Sequence, residues 1–354
     1  MSASPTPSST SANGVTDSDL ASLPKVELHV HLEGSIAAGT AVELARRHGE
    51  DPEAVLEVVR GQDGELAYPA PFRDFLHFVD TFLATTRQVR TPDDLATVAA
   101  AFARGQAAQG VRWTEATFTA LTLVDNGMEP AAMWEALRDG FAEVPDTRVG
   151  LIVDSVRDLG VEASRRTVAL VESADAPVVG LGLTGVEGSI PEREFAHLRD
   201  AAERLGIGWA VHAGETGTPD NVRAALDDLG ARRIGHGIAA VQDPDLLARV
   251  AREQVVLEVC PSSNVTLSIV PDLDAHPLPT LWEAGVNVTI NSDDPPFFST
   301  TLTDELRHAK RLLGLTRRDL AELQRRAARA AFAPDDVKAD VLRQIDSWDA
   351  GPHV

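Results

Sequence analysis

Residues 26–34 have the sequence Val26-Glu27-Leu28-His29-Val30-His31-Leu32-Glu33-Gly34, in which two histidines stand one residue apart in an apolar run. A β-strand sends residues i and i+2 to the same face, so both imidazoles can converge on one metal ion. On its own, the pair also fits an ordinary alternation of polar and apolar residues. Other segments of the sequence are needed to distinguish a metal site from an ordinary strand.

Three later segments repeat the arrangement, because each is an apolar run that ends in titratable residues: 209–215, 233–237 and 286–295. In a barrel of alternating strands and helices, the carboxyl ends of all strands meet at one mouth, so distance along the chain does not matter. The predicted metal ligands are three imidazoles and one carboxylate, a donor set that suits zinc. They are His29, His31, His212 and Asp293. Glu215 and His236 remain for proton transfer, which is the division of labour of a metal-dependent hydrolase.

Each of these residues also has an ordinary structural interpretation. Asp293-Asp294-Pro295 is typical of a turn, and His212 or His236 alone could be a hydrogen-bonded core histidine. Glu215 could cap the helix that is predicted to begin near Pro219. Four such coincidences at strand ends are less probable than one shared site, so the segments together favour a metal centre.

The same segments resemble, in order, the signatures of the adenosine deaminase family of the amidohydrolase superfamily. The matching stretches are 24–34, 212–215, 233–237 and 291–295, so the resemblance covers most of the chain. It implies a hydrolase that binds one Zn²⁺ per chain and converts the 6-amino group of a purine to a 6-oxo group with release of ammonia. Three residues would be catalytic. By resemblance, Glu215 protonates purine N1, His236 accepts or orients the proton of the attacking water, and Asp293 both binds the metal and hydrogen-bonds that water.

The resemblance also implies substrate contacts. Asp294 corresponds to the residue that contacts purine N7, the backbone amide of Gly185 would contact N3, and Glu33 is expected to reach the 5′ end of the ribose. His31 is placed at the substrate as well as on the metal.

Two departures from the family pattern bear on the substrate. Adenosine deaminases commonly carry Asp where this chain has Glu33, and the fourth-strand signature Asp-Leu-Ala-Gly-Asp-Glu is replaced by Gly182-Leu183-Thr184-Gly185-Val186-Glu187. These changes favour an adenosine modified at the 5′ position, such as the menaquinone precursor 6-amino-6-deoxyfutalosine, over adenosine itself. Adenine is the alternative substrate.

Two other classes remain open. The chain could be an amidohydrolase that cleaves an ester or lactone, although no lysine ends a predicted strand, which opposes the carbamylated two-metal form of such enzymes. It could also be a catalytically silent binding protein on the same fold. Retention of Glu215, His236 and both aspartates opposes that interpretation.

Composition excludes several partners. The formal net charge of −22 argues against binding to nucleic acid, which needs clustered Lys and Arg, and is compatible with a neutral small molecule such as a 6-aminopurine. The single cysteine, Cys260, excludes intramolecular disulfides and the paired-cysteine zinc site of cytidine-type deaminases, so we interpret it as a packing residue. The sequence leaves the oligomeric state open.

The chain contains neither a secretory-signal pattern nor an apolar run long enough to span a membrane, so we expect a cytoplasmic protein without a membrane partner. Residues 1–20, which begin with a Ser/Thr/Pro-rich stretch, are predicted to be a disordered tail, followed by one domain over residues 21–350. We interpret the histidines outside the motifs as surface or structural: His48, His77, His197, His276, His308 and His353.

The predicted fold class is α/β, a (β/α)8 TIM barrel. Its eight strand candidates are 26–30, 110–118, 149–155, 178–183, 208–212, 233–236, 255–259 and 287–291. Helical patterns lie between them, for example over 128–144, 192–205 and 243–253. An insertion after the first strand, about residues 36–109, carries helical patterns over 72–88 and 92–109 and resembles the family's lid. Two extra helices are predicted near the C-terminus, over 317–331 and 334–348.

Overall fold

The computed structural model describes residues 15–61 and 64–351. Most of the predicted disordered tail, residues 1–14, lies outside these ranges. Its last part is a correction, because residues 17–20 belong to a helix, Asp17–Ser22. Thr16 and Asp19 form a reciprocal capping box at the start of that helix, and Leu20 is fully buried. The N-terminal boundary of the folded domain therefore lies earlier than predicted.

The strands confirm the TIM-barrel prediction, and each predicted strand end is within one residue of the observed one. They are β1 (Lys25–His31), β2 (Val111–Phe118), β3 (Arg148–Val156), β4 (Val178–Thr184), β5 (Gly208–Ala213), β6 (Arg233–His236), β7 (Val256–Val259) and β8 (Asn287–Ile290). All neighbouring pairs are parallel, and the strands follow one another around the sheet in chain order.

Helices surround this sheet. In chain order they are α1 (Asp17–Ser22), α2 (Ala38–Arg47), α3 (Pro52–Val55), α4 (Phe75–Thr86), α5 (Pro92–Ala108), α6 (Ala120–Asp125), α7 (Pro130–Ala142), α8 (Gly160–Glu172), α9 (Ala196–Leu205), α10 (Pro219–Asp227), α11 (Pro244–Arg252), α12 (Pro261–Thr266), α13 (Leu278–Glu283), α14 (Leu302–Leu313), α15 (Arg317–Ala330) and α16 (Asp335–Asp349). Short 3₁₀ turns are Glu33–Ser35, Arg157–Leu159, Glu192–Phe195, Ile238–Gln242 and Leu273–Ala275.

The barrel is nearly closed between β8 and β1, and side-chain hydrogen bonds complete the closure. The Asn291 side-chain oxygen accepts from the backbone N–H groups of Leu28 at 2.9 Å and His29 at 3.2 Å. Just beyond it, Val30 and Asp293 form an isolated parallel bridge. The seam of the barrel thus runs through the segments that carry the predicted metal ligands.

The two predicted C-terminal helices are present as α15 and α16 and pack outside the barrel. Their small and aliphatic side chains, including Ala327 and Ile345, form a second apolar cluster with Val26 and Leu28 of β1 and Trp113 of β2. The Gln324 side-chain oxygen also accepts from the N–H of Val26 at 2.7 Å. These helices therefore support β1 from behind.

The insertion after β1 contains both predicted helices, α4 and α5, together with α2, α3 and a short antiparallel pair, Val59–Arg60 with Leu66–Ala67. The pair is too short to produce a visible alternation in sequence. An aromatic cluster joins α4 to the loop after β8: Tyr68 stacks on Phe297 at a centroid distance of 4.0 Å, and Phe78 meets the same ring edge-on. The insertion is thereby fixed to the segment that follows Asp294.

No helix in the described ranges combines the length and the apolarity that crossing a bilayer requires. Cys260 is fully buried, and burial raises the pKa of its thiol well above the usual value. It packs as an inert side chain, as the sequence suggested.

The barrel seam gives the first prediction. Replacing Asn291 by Ala leaves the N–H groups of Leu28 and His29 buried without an acceptor, so the free energy of unfolding should fall by about 2–4 kcal/mol in urea denaturation. The exposed residue Asn126 provides the control, because Asn126→Ala should change it by less than about 0.5 kcal/mol. Equal stability of the two variants would show that the side chain does not hold the seam.

Candidate active site

The predicted ligands and proton-transfer residues meet at the carboxyl ends of their strands. The His29 ring lies 4.4 Å from that of His212 and 4.8 Å from that of His236, centroid to centroid. Asp293 Oδ1 lies 3.4 Å from His29 Nε2 and 3.3 Å from His31 Nε2. Four separate segments of the chain therefore supply one compact cluster.

His29 is held in place by a buried carboxylate. Its Nδ1 lies 2.9 Å from Glu258 Oε2, and the other Glu258 oxygen accepts from Arg233 Nε at 2.6 Å. Arg233 is in turn paired with Glu115, and all these side chains are buried. A carboxylate on Nδ1 fixes the tautomer in which Nε2 carries the lone pair, and metal-binding histidines commonly bond to a carboxylate in this way.

The close packing of His29 also requires a glycine. A Cβ atom at Gly235 of β6 would lie 2.6 Å from the His29 ring, so no other residue fits there without displacing the imidazole. The Arg-Ile-Gly-His stretch of β6 thus provides both Arg233, which balances Glu258, and the space that His29 occupies.

Asp293 has an unusual backbone. Its φ is 63°, as is typical of a left-handed conformation that side-chain-bearing residues rarely adopt, and His236 is similar at 59°. Burial alone would raise the pKa of Asp293, but the His29 and His31 imidazoles beside its Oδ1 hold that pKa well below its usual value. The group is therefore an anion at the centre of the cluster.

The donor set fits a divalent metal ion. His29 Nε2 is buried without a hydrogen-bond partner, which is an unfavourable state for a polar atom unless a ligand occupies it. Ligand atoms of His29, His212, His236 and Asp293 all lie within 4.8 Å of one another. His236 takes the place of the predicted ligand His31 in this set, although His31 Nε2 lies closer to an Asp293 oxygen, at 3.3 Å against 3.8 Å for His236 Nε2. Geometry alone thus leaves five candidate donors for four positions.

Glu215 lies at the edge of the cluster, with Oε1 3.7 Å from His236 Nε2. Burial, together with the nearby Asp293 and Glu187 carboxylates, raises the pKa of Glu215 to about 8. A cleft lined mainly by apolar side chains of the loops after β6 and β7, such as Ile238 and Ile269, opens beside Glu215. Glu215 is therefore a carboxylic acid at neutral pH rather than a carboxylate, as a proton donor must be.

The loop that carries Glu215 is fixed by Glu187, which sequence analysis had assigned no role. The Glu187 carboxylate accepts from the backbone N–H groups of Gly214, Glu215, Thr216 and Gly217 at 2.5, 2.9, 3.1 and 3.3 Å. These four donors define where Glu215 lies. The ordinary interpretation, a helix cap at Pro219, does not apply, because Thr218 caps that helix.

The predicted substrate residues line the other side of the mouth. Burial raises the pKa of Asp294 to about 7 and that of Glu33 to about 7, with contributions from Asp293 and Asp154 respectively. Glu33 Oε1 accepts from the N–H of Thr119 at 2.9 Å. Gly185 follows β4 with a φ of 86°, and it is exposed. Asp154 is a further buried carboxylate here, and its Oδ1 has no hydrogen-bond partner.

The residues at the strand ends were predicted from sequence, but those that hold them were missed, namely Glu258, Arg233 and Glu187. One signal was available for Glu258. A single carboxylate inside the apolar run 255–259 is costly unless it is paired, so its partner could have been sought among the site residues.

Known proteins are similar to this chain over most of its length. The model of the family described as "Adenosine deaminase" matches residues 24–348. The chain is 37% identical over 343 residues to an aminodeoxyfutalosine deaminase of Streptomyces coelicolor, with 94% of this chain and 86% of that protein covered. It is 36% identical to an adenine deaminase of a Chelativorans species, with 91% and 98% covered.

A solved structure of an amidohydrolase from Burkholderia ambifaria, with bound Zn, superposes with a TM-score of 0.80 at 26% identity and covers 96% of each chain.

The Glu258–His29 pair gives the second prediction. In Glu258→Gln the charge that orients and polarises His29 is lost, so affinity for a divalent metal should fall roughly 10- to 100-fold. The measurement is a titration of metal-depleted protein with Zn²⁺ against a competing chelator.

Glu115→Gln is the matched control, because Glu115 shares Arg233 but does not bond to His29. Its metal affinity should stay within about threefold of the unmodified protein. If both variants lost affinity equally, the effect would come from Arg233 and not from the contact with His29.

Proposed function

Because this chain belongs to the adenosine deaminase family, we propose that it is a zinc-dependent hydrolytic deaminase that exchanges the 6-amino group of an adenosine-type nucleoside for oxygen. The observation that carries the proposal is Glu215, a carboxylic acid that is protonated at neutral pH and lies beside a buried cluster of imidazoles and one carboxylate. Protonation of a ring nitrogen is what makes attack on a 6-aminopurine feasible, since negative charge would otherwise build up on the ring.

Zinc is the proposed metal, and His29, His31, His212 and Asp293 are its proposed ligands. Three nitrogens and one carboxylate oxygen are a typical zinc donor set, and the zinc-containing relative supports the choice. Bound zinc would act as a Lewis acid that makes water reactive at neutral pH. The unpartnered Nε2 of His29 is the atom that most needs such a ligand.

The other groups around the cluster divide the remaining work. Glu215 donates its proton to purine N1, and His236 lies between Glu215 and Asp293, where it can hydrogen-bond the attacking water. Asp294, whose pKa burial raises to about 7, would share a proton with N7. The backbone amide of Gly185 is assigned to N3.

For the substrate, we propose a nucleoside that is modified at the 5′ position, such as 6-amino-6-deoxyfutalosine. The relative named aminodeoxyfutalosine deaminase supports this assignment. The Glu33 and Asp154 carboxyl groups support a nucleoside over free adenine, because buried acceptors at the ends of β1 and β3 suit the hydroxyl groups of a ribose. Adenine is the second candidate, favoured by the relative named adenine deaminase.

The third prediction concerns pH. Glu215 is active as the acid, so kcat should fall as the pH rises through about 8, by roughly tenfold for each further pH unit. Glu215→Gln should retain the metal and lower kcat at least roughly 100-fold below about pH 8, where the unmodified carboxyl group is protonated, since the amide cannot supply the proton. Full activity of that variant in a steady-state ammonia assay would remove Glu215 from its role.

The fourth prediction is a substrate preference. The zinc-loaded protein should release ammonia from aminodeoxyfutalosine with a kcat/KM at least about tenfold above those for adenosine, 5′-methylthioadenosine and adenine. Preference for adenine would mean that the ribose space is filled and would favour the second candidate. Absence of ammonia release from every purine in the panel would contradict the deaminase assignment.

A further inference from the structure

Two buried side chains behind His236 form a hydrogen-bonded chain that no catalytic role has yet explained. Asn264 Nδ2 lies 3.3 Å from His236 Nδ1, and Asn264 Oδ1 lies 3.1 Å from His276 Nε2. The hydrogen-bonded chain ends at the backbone N–H of Leu278, which donates to His276 Nδ1 at 3.0 Å. Asn264, His276 and His236 are all at most 3% exposed, so water does not interrupt it.

The backbone N–H at the end of the chain determines its direction. An amide N–H can only donate, so His276 Nδ1 must be the acceptor and the single ring proton of a neutral His276 must be on Nε2. Burial lowers the pKa of His276 to about 4, which keeps the ring neutral at neutral pH. Its Nε2–H then donates to Asn264 Oδ1, and the amide group of Asn264 donates to His236 Nδ1.

The reverse orientation of Asn264 does not satisfy these groups. If its oxygen faced His236, its NH₂ group would face His276 Nε2 and force the His276 proton onto Nδ1. That proton would then point at the N–H of Leu278, so two donors would meet without an acceptor. Only one direction of hydrogen bonding satisfies all four groups.

We propose that Leu278, His276 and Asn264 together fix His236 as the tautomer with its proton on Nε2, so that His236 presents an N–H donor to the reaction site. This inference rests on the proposed function for its catalytic meaning. His236 Nε2 lies 3.7 Å from Glu215 Oε1 and 3.8 Å from Asp293 Oδ2, so the donor points between the two carboxyl groups. Asn264 and His276 are positioning residues, because they act only through His236.

The tautomer also decides which histidine completes the metal site. An imidazole nitrogen binds a metal through its lone pair, and a protonated Nε2 has none to offer. His236 therefore belongs to the reaction site and not to the ligand set, although its distance from the other donors would allow ligation. His31, at 3.3 Å from Asp293 Oδ1, remains as the fourth ligand.

The direct test is the protonation of His236 by NMR, which needs no turnover. In a neutral imidazole the protonated and unprotonated nitrogens have well-separated ¹⁵N shifts, and the ring C–H couplings distinguish Nδ1 from Nε2. Zinc-loaded protein labelled with ¹⁵N-histidine should show His236 protonated on Nε2, with the signals assigned by their loss in His236→Gln. A proton on Nδ1 of His236 would overturn the proposal.

Asn264→Asp is the decisive variant, because it keeps the shape of the side chain and replaces the donor by an acceptor. The proton of His236 should move to Nδ1, and kcat should fall roughly 100-fold or more while KM changes little. The exposed Asn126→Asp is the matched control and should leave both kcat and the tautomer unchanged. An Asn264→Asp variant with an unchanged tautomer would contradict the proposal.

A second pair of variants decides the question if Asn264→Asp does not fold. His276→Gln can still donate an amide N–H to Asn264 and should keep most of the activity, whereas His276→Leu removes the donor and should lower kcat by more than roughly tenfold. Equal kcat values for the two variants would contradict the proposed role of the hydrogen-bonded chain. If the unmodified protein deaminated no purine, the proposed function would fail, and the tautomer of His236 would still be decided by its spectrum.

Discussion

The buried anion of Asp293 is the constraint on which the site depends. A carboxylate at the mouth of a barrel loses its hydration, and this loss is tolerable only if cations or hydrogen-bond donors surround it. His29 and His31 face its Oδ1, Glu258 stands behind His29, and Arg233 balances Glu258. The charge of Glu258 is thus balanced by Arg233, and the Asp293 carboxylate lies beside two imidazoles.

The barrel and the site are stabilised by the same contacts. The seam between β8 and β1 is closed by Asn291 and by the bridge at Asp293, so the last strand is joined to the first where the ligands lie. The insertion is attached to this seam through Phe297, which stacks on Tyr68. A rigid seam is what a metal site needs, since its donors must be held at fixed distances before the ion binds. The left-handed backbone of Asp293 is sustained by these surroundings.

Much of this could be predicted from sequence because strand ends in a (β/α)8 barrel converge by topology. The titratable residues after β1, β5, β6 and β8 could therefore be assigned to one site without coordinates. Residues that support the site were missed for a physical reason. Glu258 lies within a strand and contacts His29 of another strand. His276 lies in a loop and contacts Asn264. Neither contact can be inferred from the spacing of the two residues in the sequence. The predicted end of the disordered tail was wrong because the helix that Thr16 and Asp19 cap begins just after a polar stretch.

We propose above all that a single metal ion held by this cluster supports hydrolytic deamination. The most direct test is to titrate metal-depleted protein with Zn²⁺ and follow ammonia release from an adenosine-type nucleoside. Activity should rise linearly and stop at about one equivalent per chain, since the four proposed ligands form one closed set around Asp293. Activity that is independent of added metal would contradict the account, and so would a plateau at two equivalents.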